Sequence, residues 1–439
     1  VTKTWRIYPY DTTNTAPPTL ITRIYVSLSG NDSSSNPHDP ATPYKTISKI
    51  NSILTSLNDN DSILFKGGET FEGRLIISKS NLYFGSYGNG KAIITALKTV
   101  TGWVHTGGNV WESSATNCKT TLSMVTVNGV MKAKGRYPNA NATNGGYLTF
   151  ESYAGTVSIT DTQLSGTPDW DGATLVMRVN KWTIQTKPIT NHTGTSITYS
   201  GGSTTPQYTS GLGYFIEDDI KTLDSPGEWF LDKTTKKLSV YSISNPGTSV
   251  KASIYDTLVK CSNQGYITIT NLRFEGANLA TMYITDSPGM QILNCEIDGS
   301  GGRGIWAFTN VNFKAEGNLI NHCNSNALYI SNINASIKNN TIKNIGLLPG
   351  MATQGTYHAI HLAATPTGTI IQYNSLDSLG SNGMFIMGNN VTVKNNLINH
   401  FGLTTDDCGG IYAAGTSYTG KVIEGNIILN AWGNTNGLP

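Results

Sequence analysis

One phrase recurs through the second half of the chain: a short run of strand-forming residues, an Asn near its end, and a closing apolar residue two or three positions later. It reads Ile269-Thr270-Asn271-Leu272-Arg273-Phe274, then Ile292-Leu293-Asn294-Cys295-Glu296-Ile297, then Ala315-Glu316-Gly317-Asn318-Leu319-Ile320, and it returns four more times. The closing residues Phe274, Ile297, Ile320, Ile342, Leu376, Ile398 and Ile428 are separated by 23, 23, 22, 34, 22 and 30 positions. A unit this short cannot bury its own apolar face, so a period near 22 with two lengthened turns implies a solenoid in which each coil packs on the next. The Val- and Ile-rich strands select an all-β, parallel β-helix over a leucine-rich horseshoe.

In the strand that follows each turn, three positions align: Met282-Tyr283-Ile284, Ile305-Trp306-Ala307, Leu328-Tyr329-Ile330, Ile360-His361-Leu362, Met384-Phe385-Ile386 and Ile411-Tyr412-Ala413. Side chains alternate across a strand, so the flanking aliphatic residues share one face and the middle residues the other. With the aliphatic residues inside, Tyr283, Trp306, Tyr329, His361, Phe385 and Tyr412 form an outward stripe roughly 24 Å long at about 4.8 Å per coil. Exposed rings in a row call for a flat apolar cover. The faces of sugar rings supply one; the rival reading is that another part of the molecule packs there. Three residues before the stripe runs a second, more polar column: Arg303, Asn326, His358, Asn382 and Gly409.

The inner column Asn318, Asn340, Asn374, Asn396 and Asn426 reads as structural, because stacked amides satisfy one another and the turn backbone. Glu316 beside Lys338, and Lys394 beside Glu424, read as cross-strand ion pairs.

Three segments organise the chain. Residues 1–97 hold the first coils and a cap, with a short amphipathic helix expected from Thr42-Pro43 through Ile47, Ile50, Leu54 and Leu57. Between 98 and 250 the rhythm gives way to alternating strands and Gly/Asn/Pro turns, including a hairpin of Trp229-Phe230-Leu231 with Leu238-Ser239-Val240, so an antiparallel β domain is inserted there. Residues 251–439 carry the main coils. Asn434 to Pro439 match the point where a coil begins its next strand, so the natural chain is expected to continue, leaving room for a cell-surface anchor beyond Pro439.

Net charge is +2 and only 13% of residues are charged, which argues against nucleic acid and anionic membrane surfaces as partners. No apolar run approaches a membrane span, so membrane insertion is not expected. The opening Val1-Thr2-Lys3-Thr4-Trp5 carries no signal peptide, which suits a mature secreted protein and a cytosolic one equally. The five cysteines are scattered without a CxxC pair, so neither a disulfide framework nor a zinc site is expected, and no metal or other cofactor is called for.

The two lengthened turns, Ile345 to Tyr357 and Phe401 to Gly409, fall just before the stripe, where loops wall a groove. The second contains Asp406 and Asp407, the best-placed acids. Hydrolysis of a glycosidic bond needs two carboxyls about 5 to 9.5 Å apart. Asp377 in the preceding coil is the nearest partner in sequence, with Asp298, Glu217, Asp218 and Asp219 in reserve. His358 and His361, three apart on one strand, are expected to point in opposite directions; either suits a general base or a hydroxyl-orienting role.

Several segments resemble a known family. Tyr25-Val26-Ser27-Leu28-Ser29-Gly30-Asn31-Asp32, followed by Pro43-Tyr44-Lys45-Thr46-Ile47, resembles the opening of secreted right-handed β-helix proteins of the pectate-lyase-like superfamily. Leu223-Asp224-Ser225-Pro226-Gly227-Glu228-Trp229-Phe230-Leu231-Asp232 is similar to a segment of the domain inserted in β-helical glycoside hydrolases such as β-xylosidases and lacto-N-biosidases, and Asp407-Cys408-Gly409-Gly410-Ile411-Tyr412 to their Asp-x-Gly-Gly-Ile-Tyr turn. The resemblance spans nearly the whole chain and implies a secreted, carbohydrate-active enzyme with Asp407 as one catalytic acid; no motif fixes the second. The Gly-His-Gly and Arg-Ile-Lys patterns of polygalacturonases are absent.

Three functions are therefore weighed. The first is an extracellular glycoside hydrolase whose partner is a polysaccharide or glycan on the Tyr283 to Tyr412 face. The second is a lyase on a uronic-acid polymer using His358, His361 or Arg303. The third is a non-catalytic cell-surface adhesin or fibre segment.

Overall fold

The first corner of each rung is turned by a single residue. Asn271, Asn294, Gly317, Asn339, Tyr373, Asn395 and Gly425 all take φ between 51° and 68°, the left-handed region that Gly and Asn enter at low cost. The protein is described as a computed structural model over residues 22–33, 36–116, 118–201, 210–352, 357–363 and 366–439; the expectation for Val1 to Trp5 lies outside them.

Repetition of this corner stacks three parallel sheets. Sheet A has ten strands, from Arg23–Val26 to Val422–Glu424, and ends at the corner. Sheet B follows it with nine, from Thr70–Glu72 to Ile427–Ile428. Sheet C has eight, from Leu75–Ile77 to Ile411–Ala413. Together they form a right-handed parallel β-helix. Its axis is filled by the inward residues of all three sheets, among them Ile292, Ile297, Ile305, Ile330, Ile342 and Ile371, each fully buried.

Just after the corner the buried Asn column forms a continuous ladder. Asn318 Nδ2 donates to Asn340 Oδ1 at 3.0 Å, and Asn340, Asn374 and Asn396 each pass the same bond to the next Asn at 2.9 Å. Cys295 sits where the ladder begins, its backbone N–H donating to Asn318 Oδ1 at 2.8 Å. Lys394 meets Glu424 at 2.9 Å, whereas Glu316 accepts the Ser336 hydroxyl at 2.6 Å.

One end of the stack is closed by the helix Ile47–Ile53, whose Ile47 and Ile50, with Leu54 beyond, are buried on the core. Its N-cap is Thr46, accepting from the Lys49 N–H at 3.1 Å. The expected start at Thr42-Pro43 is thus four residues early, because Pro43 serves the preceding turn through its carbonyl, which accepts from the Asn31 N–H.

The chain leaves sheet B after Ala92–Thr95 and returns to the β-helix in sheet C at Thr257–Ser262, so the antiparallel domain takes the place of one B-to-C turn. It contains two four-stranded sheets and one eight-stranded sheet, with the hairpin of Trp229–Leu231 and Lys237–Tyr241 as expected. The domain leans on the other B-to-C turns. Ser123 N–H donates to Asn278 Oδ1 at 2.8 Å, Asn324 Nδ2 donates to the Ser123 carbonyl at 3.1 Å, and buried Arg178 reaches the carbonyls of Thr404 and Asn434 at 3.0 and 2.9 Å. The last residues run onto the domain as well, where Gly213 N–H donates to the Gly437 carbonyl at 2.7 Å. Among the described residues no helix is long and apolar enough to cross a membrane.

Candidate functional site

Parallel register places the aromatic residues of sheet C in one column. Tyr283 pairs with Trp306, Trp306 with Tyr329, Tyr329 with His361, His361 with Phe385 and Phe385 with Tyr412. Their neighbours Met282, Ile284, Ile305, Leu328, Leu362 and Met384 are fully buried, which turns the rings outward. Each ring touches the next: the centroids are 5.0 Å apart for Tyr283 and Trp306, 6.4 Å for Trp306 and Tyr329, 4.7 Å for Tyr329 and His361, 4.8 Å for His361 and Phe385, and 5.4 Å for Phe385 and Tyr412. The stripe is half-buried except at its end, where Tyr412 is 49% exposed.

Two residues that the sequence reading passed over join this face. Phe308 lies two positions after Trp306 on the same strand, Arg303–Val311, and contacts Tyr283 at 5.4 Å and Trp306 at 5.9 Å. Lys260 pairs with Tyr283 in the preceding rung and is exposed. Alternation along the strand is the signal that would have found both.

The polar column flanks the stripe on the side of the B-to-C turns. Arg303, only 7% exposed, places its guanidinium over the faces of Trp306 and Tyr329, at 4.1 and 4.2 Å from their centroids. Asn382 Nδ2 is 3.3 Å from His358 Nδ1, and Asn382 Oδ1 accepts from the Gly409 N–H at 2.7 Å.

His358 does not oppose His361. The strand covers only Ile360–Leu362, so His358 belongs to the turn before it and escapes the alternation rule. Its ring stacks on Phe385 with a centroid distance of 5.2 Å and an angle of 11°, and stands 5.2 Å from His361. Burial, then the neighbouring His361, brings the pKa of His358 down to about 3; burial, then the charge of Arg303, brings that of His361 down to about 4. Two neutral imidazoles thus sit beside a cation at the middle of the stripe, and His361 Nδ1 is buried without a hydrogen-bond partner in the described structure.

The acids divide. Asp407 is exposed, at φ 55°, in the turn leading to the strand of Tyr412. Asp406 is half-buried and tied to the inserted domain, its N–H donating to the Lys181 carbonyl at 3.0 Å and its carboxylate acting on Arg178. Asp377 is not in this site. It lies on the strand Ser375–Leu379 of sheet B and faces outward there, accepting from Asn399 Nδ2 at 2.7 Å with His400 at 3.4 Å. It immediately follows the inward Leu376, so the period of two sends it to the outer face of a different sheet. Among the reserves, Asp298 is also on sheet B. Glu217 and Asp218 are buried with Lys134, at 3.2 and 3.7 Å, and Asp219 caps the short turn Ile220–Thr222. Among the described residues no group of three His, Cys, Asp or Glu side chains is placed to hold a metal.

Three stacked parallel sheets, a helical cap and an antiparallel insertion define the class: the chain is a right-handed parallel β-helix protein. The family model described as "Right handed beta helix region" matches residues 239–365. No curated protein sequence matches the chain. Among solved structures, one described as a glycoside hydrolase is 11% identical with a TM-score of 0.61, covering 92% of this chain and 96% of its own. XylC in complex with xylose is 13% identical with a TM-score of 0.48, covering 92% and 69%. An alginate lyase from a Paenibacillus species is 11% identical with a TM-score of 0.41, covering 93% and 98%. At these identities the likeness is one of fold.

Proposed function

We propose that this chain is an extracellular carbohydrate-active protein that binds an extended glycan across the outer face of sheet C and hydrolyses it at the turn carrying Asp406 and Asp407. The observation that carries this reading is the unbroken ring contact from Tyr283 to Tyr412 on an outward sheet face. Sugar rings present C–H faces to aromatic rings and hydroxyls to the rim, where Asn382 and the backbone of the 402–410 turn offer hydrogen bonds. Asp407 supplies an exposed carboxyl at the Tyr412 end of the stripe, and Asp406 is the adjacent acid. One would protonate the departing oxygen while the other serves as nucleophile or base. The test is a screen of neutral and acidic glycans for released reducing ends with wild type and Asp407→Asn. Turnover lost by at least roughly a hundredfold with binding retained supports the assignment; equal turnover removes Asp407 from the mechanism.

A second reading, β-elimination on a uronic-acid polymer, is favoured by Arg303 beside two neutral imidazoles. Arg303 would bind the uronate carboxylate and His361 or His358 would accept the proton on the neighbouring ring carbon. The electrons of that C–H bond form the C=C bond as the bond to the leaving oxygen breaks, and the leaving oxygen takes its proton from the imidazolium so formed or from water. Ultraviolet-absorbing unsaturated ends among the products, lost in His361→Gln, decide for it.

A further inference from the structure

A cavity of about 610 Å³ lies away from sheet C, between the outer side of sheet B and the insertion sheet formed by Leu97–Thr99, Val250–Ser253, Val125–Val127 and Val130–Met131. Its size falls in the range of small-ligand sites. The floor is polar and fixed. Arg273 holds Glu275, Glu296 and Asp298 from two consecutive rungs at 2.5, 2.6 and 3.0 Å, and Asp298 also accepts from His322 Nδ1 at 2.9 Å and Asn321 Nδ2 at 3.2 Å. The opposite wall is apolar, made by Met124, Val130, Met131, Leu347 and Leu348.

Local sequence sets where this cavity opens. The left-handed position that ends these sheet B strands is Gly276 and Gly299 in the first two rungs, and His322 and Asn344 in the next two. A Cβ on Gly276 would collide with Leu97, and one on Gly299 would come 2.6 Å from the Met124 side chain, so wall meets floor there. Where His322 and Asn344 replace glycine, the wall stands off.

Two lining groups want a partner. Thr126 Oγ1 and Asn324 Oδ1 have no hydrogen bond in the described structure, although their residues are 3% and 0% exposed. Buried polar groups left so are rare, and each needs a water or a ligand to account for it. The charged lining residues balance, Arg273 and Lys251 against Glu275 and Asp298, so a neutral ligand rich in hydroxyls suits the cavity better than an ion. An apolar wall opposite hydroxyl acceptors matches the two sides of a sugar ring.

We propose that this cavity is a second saccharide site, separate from the sheet C stripe, that takes a neutral sugar unit. The experiment is titration calorimetry on the whole chain with xylobiose, cellobiose, lactose and digalacturonate, using wild type, Trp306→Ala, Thr126→Val and Val130→Trp. Val130 is 58% exposed, so a Trp there fills the cavity without entering a core, and Thr126→Val keeps the shape while removing the hydroxyl. The expected result is that one neutral disaccharide still binds with a stoichiometry near one in Trp306→Ala, that Val130→Trp weakens this binding by at least about tenfold and Thr126→Val by about threefold, and that digalacturonate does not compete for it. The proposal is overturned if Trp306→Ala abolishes all neutral-sugar binding, if Val130→Trp and Thr126→Val bind as wild type does, or if no neutral sugar gives heat at millimolar concentration, meaning that the cavity holds only water.

Discussion

At the scale of single residues, direction in space decides function. Trp306 is half-buried, with Arg303 on one side and Tyr283 and Phe308 on others, and its exposed face is the centre of the proposed sugar platform. Trp306→Ala should weaken glycan binding about tenfold, the loss of one stacking contact and its buried area, while far-ultraviolet circular dichroism stays unchanged; titration calorimetry measures it. His358 and His361 make stability depend on pH. Both have folded pKa values, about 3 and about 4, below the ordinary 6.5, so the unfolded chain takes up protons first as pH falls. Their contribution is complete above pH 6.5 and declines by about 1.4 kcal/mol per pH unit per histidine below it, as far as the folded values. Thermal midpoints measured from pH 7 to pH 4.5 should fall, and His361→Gln should flatten part of the slope. The stripe itself was legible in the sequence because alternation needs only a local strand. His358 was not, because its orientation is set by a turn, where the period of two does not apply.

At the scale of the element, the rung is held by its corner. Asn374 accepts from the backbone and side chain of Asn340 and donates to the Ile337 carbonyl and to Asn396 Oδ1. Asn374→Ala leaves several of these buried groups unsatisfied and should cost about 3 kcal/mol, read as a lower denaturant midpoint. This column was readable in the sequence because Asn recurs at a fixed place before each closing apolar residue. Asp377 shows the limit of such reading: proximity in chain order was taken for proximity in space, whereas its strand faces solvent from sheet B. The cap helix was found through Ile47, Ile50 and Leu54, but its first residue was misplaced because Thr46, too, is a good N-cap and Pro43 is used elsewhere.

At the scale of the whole molecule, the insertion and the β-helix share the turn that carries the acids. Arg178, fully buried in the insertion, bonds the Thr404 and Asn434 carbonyls, and Lys181 takes the Asp406 N–H. Arg178→Met strands those carbonyls and should cost about 3 kcal/mol. It should also raise hydrogen exchange across residues 402–410 and reduce turnover at the Asp406–Asp407 turn more than it reduces glycan affinity. None of this docking was visible in the sequence, since contacts between segments more than two hundred residues apart leave no periodic trace.

The claim on which the account rests is that the rings of sheet C face a glycan. A crystal structure of the chain with a bound oligosaccharide tests it most directly. The account predicts sugar rings lying across Trp306, Tyr329 and Phe385, with one end at Asp407. A glycan seated only on another face, with the sheet C rings covered by protein or left bare at saturating ligand, would contradict it.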